Sequence, residues 1–111
     1  MRLPKSATIA REKITQYLLV RQSRSDKSAF LELAGFGLAN PDALIEALVA
    51  VRDENDAQLV DENKFGRYFE VPGVLSGPSG MRLRVRTIWM TEHLSGATKF
   101  ITLIPVEVLT K

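Results

Sequence analysis

The chain contains no cysteine and a single histidine among its 111 residues. Without thiols there is neither a disulfide nor a thiolate metal site, and His93 alone cannot build a multi-histidine one. No apolar run approaches the length of a bilayer-spanning helix. The opening MRLPKSATIARE also lacks the apolar centre of a signal peptide. A cytoplasmic protein without membrane association is therefore expected. The phosphate-binding Gly-Lys-Ser/Thr loop, the dinucleotide glycine fingerprint and the serine nucleophile elbow are all missing, so no cofactor is expected. The acid pairs Glu54/Asp56 and Asp61/Glu62 fit a helix end and an edge strand better than a metal site, and none is assigned.

What is present is an ordinary globular composition, 45% apolar and 25% charged. Such a chain can bury one core, and residues 1–111 read as a single domain. The net charge of +2 is small, but its distribution is uneven. Residues 1–27 carry seven Lys/Arg against two acids, residues 28–63 one against eight, and residues 64–111 seven against three. Two basic ends sharing a face would suit a polyanion; a mixed, solvated surface is the alternative.

The first half carries helical periodicity. Ile14, Tyr17 and Leu18 form a stripe in AREKITQYLLV. The next helix has Ser25 or Asp26 as N-cap, Phe30, Leu31 and Leu33 as apolar contacts, and Gly35 as its stop. The third has Asn40 as N-cap and Pro41 at its first position, with Leu44, Ile45, Leu48 and Val51 running to about Arg52. Beyond it the period falls to two. AQLVDE is a short acidic edge strand. GRYFEVPGVL follows, with Pro72-Gly73 marking a bend or bulge in an edge-compatible strand. The turn SGPSG leads to a strand from Met81 to about Glu92, and HLSGAT to a last strand ended or kinked near Pro105. This order predicts an α+β fold, with about three N-terminal helices on one face of a four-stranded antiparallel sheet. The other face is left for function.

The stretch MRLRVRTIWM concentrates the candidates. Period two puts Arg82, Arg84, Arg86, Ile88 and Met90 on one face, and Leu83, Val85, Thr87, Trp89 and Thr91 on the other. Neither set is cleanly apolar, so a bulge or an end of the covered region near Arg86-Thr87 is expected. Guanidinium groups stay charged and grip phosphate bidentately, so the row could form an anion site. It could equally be a solvated ladder paired with neighbouring acids. Tyr68 and Thr102 lie on adjacent predicted strands, Lys27 opens the second helix, and His93 sits beside a turn.

In order, Leu3-Pro4, YLL at 17–19, KSAFLELAGF at 27–36, NPDAL at 40–44, GRYFEV at 66–71, GPSG at 77–80, RTIW at 86–89 and ITLIP at 101–105 resemble an uncharacterised bacterial domain family. That family comprises small toxin-like proteins and modules. The resemblance implies a fold like that of the barnase, EndoU, colicin and RelE ribonucleases. It also implies metal-independent RNA cleavage on the open sheet face. Carried over by position, Lys27, Arg86, Thr87 and Thr102 become catalytic candidates, with Arg84, Tyr68, Arg82 and His93 as substrate contacts. RNA is then the substrate, an antitoxin or immunity protein the partner, and a homodimer remains open. The family's His-Pro before the helix lysine is absent, and Ile104 replaces its last-strand tyrosine. A non-catalytic protein- or RNA-binding module (a degenerate toxin, an antitoxin-like protein or a phage-related accessory) is therefore the alternative.

Overall fold

The computed structural model describes residues 1–24 and 26–109. The first helix, α1 (Arg11–Lys13), widens at once into a π-helical stretch, Ile14–Leu18. Leu19 N donates to Ile14 O at 3.0 Å, five residues back. That wide turn buries Ile14, Leu18 and Leu19 while Tyr17 stays exposed. Helix α2 (Ser28–Glu32) follows. Ser25, one of its two expected caps, lies outside the described residues. The cap position falls instead to Lys27, whose side chain makes no capping bond, and Asp26 sits one residue before it. The Asp26 carboxylate accepts from Ser28 Oγ at 2.8 Å, Gln22 N at 3.1 Å and Ser28 N at 3.3 Å. The chain leaves this helix through Gly35 at φ +89°, where a side chain would sit 2.9 Å from Ser79 N; glycine alone fits there without strain.

Helix α3 (Pro41–Glu54) begins at Asn40 and Pro41 as expected and runs two residues past Arg52. The Asn40 side chain faces backward: its Oδ1 accepts from Gly37 N at 2.9 Å and its Nδ2 donates to Gly35 O at 3.0 Å. Leu44, Leu48 and Val51 are buried against the sheet.

Four antiparallel strands follow in spatial order: β1 (Gln58–Glu62), β2 (Gly66–Ser76), β3 (Arg82–Glu92) and β4 (Thr98–Leu109). Three helices packed with this open sheet make an α+β fold. The bulge expected near Arg86-Thr87 is absent, since β3 pairs with β2 in unbroken register, and the arginine face gives way to the buried Met90 further along the same side. Leu83, Val85, Thr87 and Trp89 are buried on the helix side, and Arg82, Arg84 and Arg86 are exposed on the other. Trp89 meets Phe100 edge-on, ring centroids 5.3 Å apart. In the same core Trp89 Nε1 donates to Thr87 Oγ1 at 2.8 Å, and that hydroxyl donates to Val71 O at 2.7 Å.

One expectation about proline is corrected and another holds in part. Pro72 makes no bulge, since it faces Arg86 in unbroken register with β3. Strand β1 has already ended opposite Glu70, so the missing N–H of Pro72 falls on a locally free edge. Pro105 does not end β4 either. It pairs with Val85, and the register slips beside it, between the Arg84 and Val85 pairings, in keeping with a kink near Pro105; a second slip falls between the Ile88 and Trp89 pairings. The bulges are instead in the two outer strands, where an extra residue has only one neighbour to disturb.

The N-terminal segment closes against the far end of the chain. Thr8 bridges Lys99 in parallel, Thr8 N donating to Thr98 O at 2.9 Å and Phe100 N to Thr8 O at 2.8 Å. Arg52, 7% exposed, fixes this segment to α3 by donating to Ala7 O at 2.8 Å and pairing with Asp53 at 2.8 Å. None of the described helices is long and apolar enough to cross a membrane.

Candidate functional site

Cross-strand pairing places the open-face side chains in rows. Tyr68, Met90 and Lys99 form one; Glu70, Ile88 and Thr102 the next; then Pro72, Arg86 and Ile104; then Val74, Arg84 and Glu107; and Ser76, Arg82 and Leu109 last. Directly paired side chains point the same way, so these residues share one surface.

The π-helical turn, the start of α2 and the edge of β4 meet beside the second row. There Glu12, Lys13, Gln16, Tyr17, Lys27, Ile101 and Thr102 line a cleft of about 550 Å³. Lys27 Nζ donates to Thr102 Oγ1 at 2.8 Å and lies 6.0 Å from the centre of the Tyr17 ring. Partial burial pushes the Lys27 ammonium below its ordinary value of 10.5, because leaving water disfavours the charged form. Lys13 Nζ donates to Ile101 O at 3.1 Å, so a second ammonium stands at the same edge. The wide turn carries Lys13, Gln16 and Tyr17 to the cleft while Ile14 and Leu18 remain in the core. Single-turn π insertions of this kind recur at functional sites.

The arginines are engaged. Arg86 Nη1 lies 3.2 Å from Glu70 Oε1, and Arg84 Nε lies 2.9 Å from Glu107 Oε1. The Arg84–Glu107 pair is solvent-exposed and contributes about 0–1 kcal/mol, so an incoming anion can displace it at little cost, whereas Glu70 in the Arg86 pair is partly buried. Arg82 makes no ion pair among the described residues. Thr87 lies on the opposite face, fully buried and holding the Trp89 and Val71 hydrogen bonds. Tyr68 is half-buried in the row beyond Glu70, its hydroxyl 3.5 Å from Asn63 Nδ2. His93 lies at the β3–β4 turn, with Nε2 3.0 Å from Asn63 O and 3.4 Å from Glu62 Oε2. It fastens that turn to the β1–β2 turn. Thus Lys27 and Thr102 come together in the cleft, Arg86 sits one row away, Arg84 and Arg82 extend the surface, and Thr87 and His93 point elsewhere.

Sequence reasoning missed Glu70, Lys13 and Tyr17. Glu70 shares a row with Thr102 across Ile88 and holds Arg86. Its signal was the alternation of GRYFEV, which puts it on the same face as Tyr68, but its partner depended on register. No group of three or more His, Asp or Glu side chains placed to hold a metal occurs among the described residues.

A four-stranded open sheet bearing a lysine–threonine cleft and an arginine row defines a small α+β protein. Residues 2–107 match the model of a family described as a domain of unknown function, DUF6883, and the chain belongs to that family. No curated protein matches. Among solved structures, the fold is similar to a chain of a contact-dependent growth inhibition toxin–immunity protein complex from Klebsiella pneumoniae 342. The TM-score is 0.66 at 20% identity, covering 91% of this chain and 100% of that one.

Proposed function

We propose that the protein is a metal-independent endoribonuclease of toxin type, acting on RNA in the cytoplasm and held in check by an antitoxin or immunity protein. The observation that carries this reading is the Lys27–Thr102 contact at 2.8 Å, which joins a partly buried ammonium to the open sheet face. Glu70 and Thr102 flank Ile88 from opposite strands, and two strand spacings separate their backbones by roughly 10 Å. A phosphodiester lying over Ile88 would have a carboxylate on one side and an ammonium on the other. That arrangement suits in-line displacement. Glu70 takes the proton of the ribose 2′-hydroxyl, whose oxygen bonds to phosphorus. The P–O5′ bond breaks, and Lys27 protonates the departing oxygen. The products are a 2′,3′-cyclic phosphate and a free 5′-hydroxyl.

Arg86, released from Glu70, meets the charge building on the phosphoryl oxygens. Thr102 orients the ammonium, Arg84 and Arg82 follow the backbone, and Tyr68 offers a face for a base. Burial lowers the Lys27 pKa, and a more acidic ammonium gives its proton to the departing oxygen more readily. The partner is supported by the fold's likeness to a chain of a toxin–immunity complex.

The test is cleavage of total RNA in EDTA. Discrete fragments ending in cyclic phosphate are expected, with Lys27→Met and Glu70→Gln slowing the reaction by about 10²–10⁴-fold while the fold is kept. RNA left intact at high protein concentration refutes catalysis. One observation favours a second reading, a binding module: Arg84 and Arg86 are already paired with acids. Salt-dependent RNA binding without cleavage would select it.

A further inference from the structure

Strand β2 is longer than the neighbour that covers it. Pairing with β1 stops at Glu70, leaving Pro72 to Ser76 with β3 on one side only. The direction of the uncovered backbone groups follows from the hairpin. Gly77 N donates to Met81 O at 3.1 Å, and bonded and non-bonded pairs alternate along an antiparallel ladder. Leu75 and Gly73 therefore bond β3, while Ser76, Val74 and Pro72 turn their N–H and C=O groups outward. Proline at the outward-facing position 72 agrees with that parity, because it lacks a donor. Among the described residues no group bonds the outward N–H and C=O of Val74 or Ser76.

This edge is not open to bulk solvent alone. Helix α3 runs beside it, and the two enclose a groove of about 470 Å³ lined by Ala43, Glu46, Ala47, Glu54, Val74 and Ser76 among others. It continues past Val74 into a further space of about 400 Å³ reaching Pro72, Gly73 and Arg84. Glu46 and Glu54 are exposed and make no ion pair among the described residues. Arg84, the cation at the far end, is held by Glu107. Eight helical residues separate the two glutamates by about 12 Å along α3. Residues four apart on a strand project to the same side about 13 Å apart.

We propose that this groove receives an extended segment of a partner protein, added as a strand to the free end of β2, with basic residues at positions i and i+4. Val74 and Ser76 supply the donors and acceptors, and Glu46 and Glu54 select the charge and fix the register. The surface lies on the β2 side of the sheet, away from the Lys27 cleft at β4. It does not depend on the ribonuclease reading.

The test titrates the ¹⁵N-labelled chain with the capped peptide Lys-Val-Ala-Val-Lys. Saturable shifts at Val74 and Ser76 are expected, with slowed hydrogen exchange of those two amides. Glu46→Lys combined with Glu54→Lys should weaken binding at least about tenfold, or about 1.4 kcal/mol, and make Glu-Val-Ala-Val-Glu the better peptide. Val74→Pro removes one donor at a proline-tolerant edge; binding should be lost while the Trp89 environment is unchanged. No saturation up to about 10 mM peptide, a limit near −3 kcal/mol, overturns the proposal. Full affinity in Val74→Pro overturns strand addition. Concentration-dependent shifts of the same amides without peptide assign the groove to a second copy of the chain and overturn the partner.

Discussion

Thr87 is the residue whose two readings differ most, and Thr87→Val separates them. The substitution keeps the shape and removes the hydroxyl, so no cavity term enters. Two bonds disappear, the one accepted from Trp89 Nε1 and the one donated to Val71 O. The Val71 carbonyl belongs to a bonded pair with Thr87 and keeps its ladder bond, so its loss is small. The indole N–H has no second acceptor and Trp89 is fully buried. Leaving such a donor unpaired costs about 1–3 kcal/mol. A loss of about 2 kcal/mol corresponds to a fall in Tm of about 10 °C for a domain of this size. Urea unfolding followed by circular dichroism measures it. The companion variant Trp89→Phe removes the donor, so in the double variant the penalty for orphaning it vanishes and coupling of about 1–2 kcal/mol is expected. A Thr87→Val protein within about 0.5 kcal/mol of wild type that nonetheless loses RNA cleavage would refute the structural account, since so small a change is the ordinary range for surface positions.

Three further outcomes follow from the packing. Gly77→Ala would put a methyl 2.0 Å from Ala34 O and 2.5 Å from Ala34 Cβ, so the α2–β2 junction must separate. A loss of at least about 2 kcal/mol is expected in thermal unfolding. Arg52→Met leaves Ala7 O without its donor and Asp53 without its partner; a cost of about 1–3 kcal/mol is expected, with faster amide exchange at Thr8. Asp26 has its carboxyl held below the ordinary 3.8 by the Ser28 hydroxyl, then by Gln22 N. Its contribution is thus complete above about pH 4 and is lost as pH falls through the lowered value. Asp26→Asn should therefore flatten that part of the acid-unfolding curve; a curve of unchanged slope refutes the assignment.

Period two listed the arginines and Trp89 on opposite faces of β3, but Ile88 and Met90 on the arginine side suggested a bulge near Arg86-Thr87 that the unbroken β2–β3 register does not contain. Helical periodicity located α3, whose Asn40-Pro41 start is a local signal. Pro72 was misread for a nonlocal reason. Whether Pro72 needs a bulge depends on where β1 stops, and that depends on pairing fourteen residues or so upstream. Glu70 escaped for the same reason, since its meaning lies in facing Arg86 and Thr102 across two register alignments. The π turn at Ile14–Leu18 carries no compositional mark. It arises from seating Ile14, Leu18 and Leu19 in one core, and it moved Tyr17 from an expected packing stripe to the mouth of the cleft.

The Thr8–Lys99 bridge has a kinetic consequence. It joins the first tenth of the chain to the last strand, and closing so long a loop carries a larger entropic penalty than closing any hairpin of the sheet. The meander can form first, from hairpins whose partners are near in sequence. The N-terminal segment then docks late, with Arg52 as its clasp. Contacts absent from the folding transition state govern how fast a protein opens, not how fast it folds. Weakening this bridge should leave refolding nearly unchanged and shorten the native lifetime, so the persistence of the folded molecule is set at its N-terminal seam.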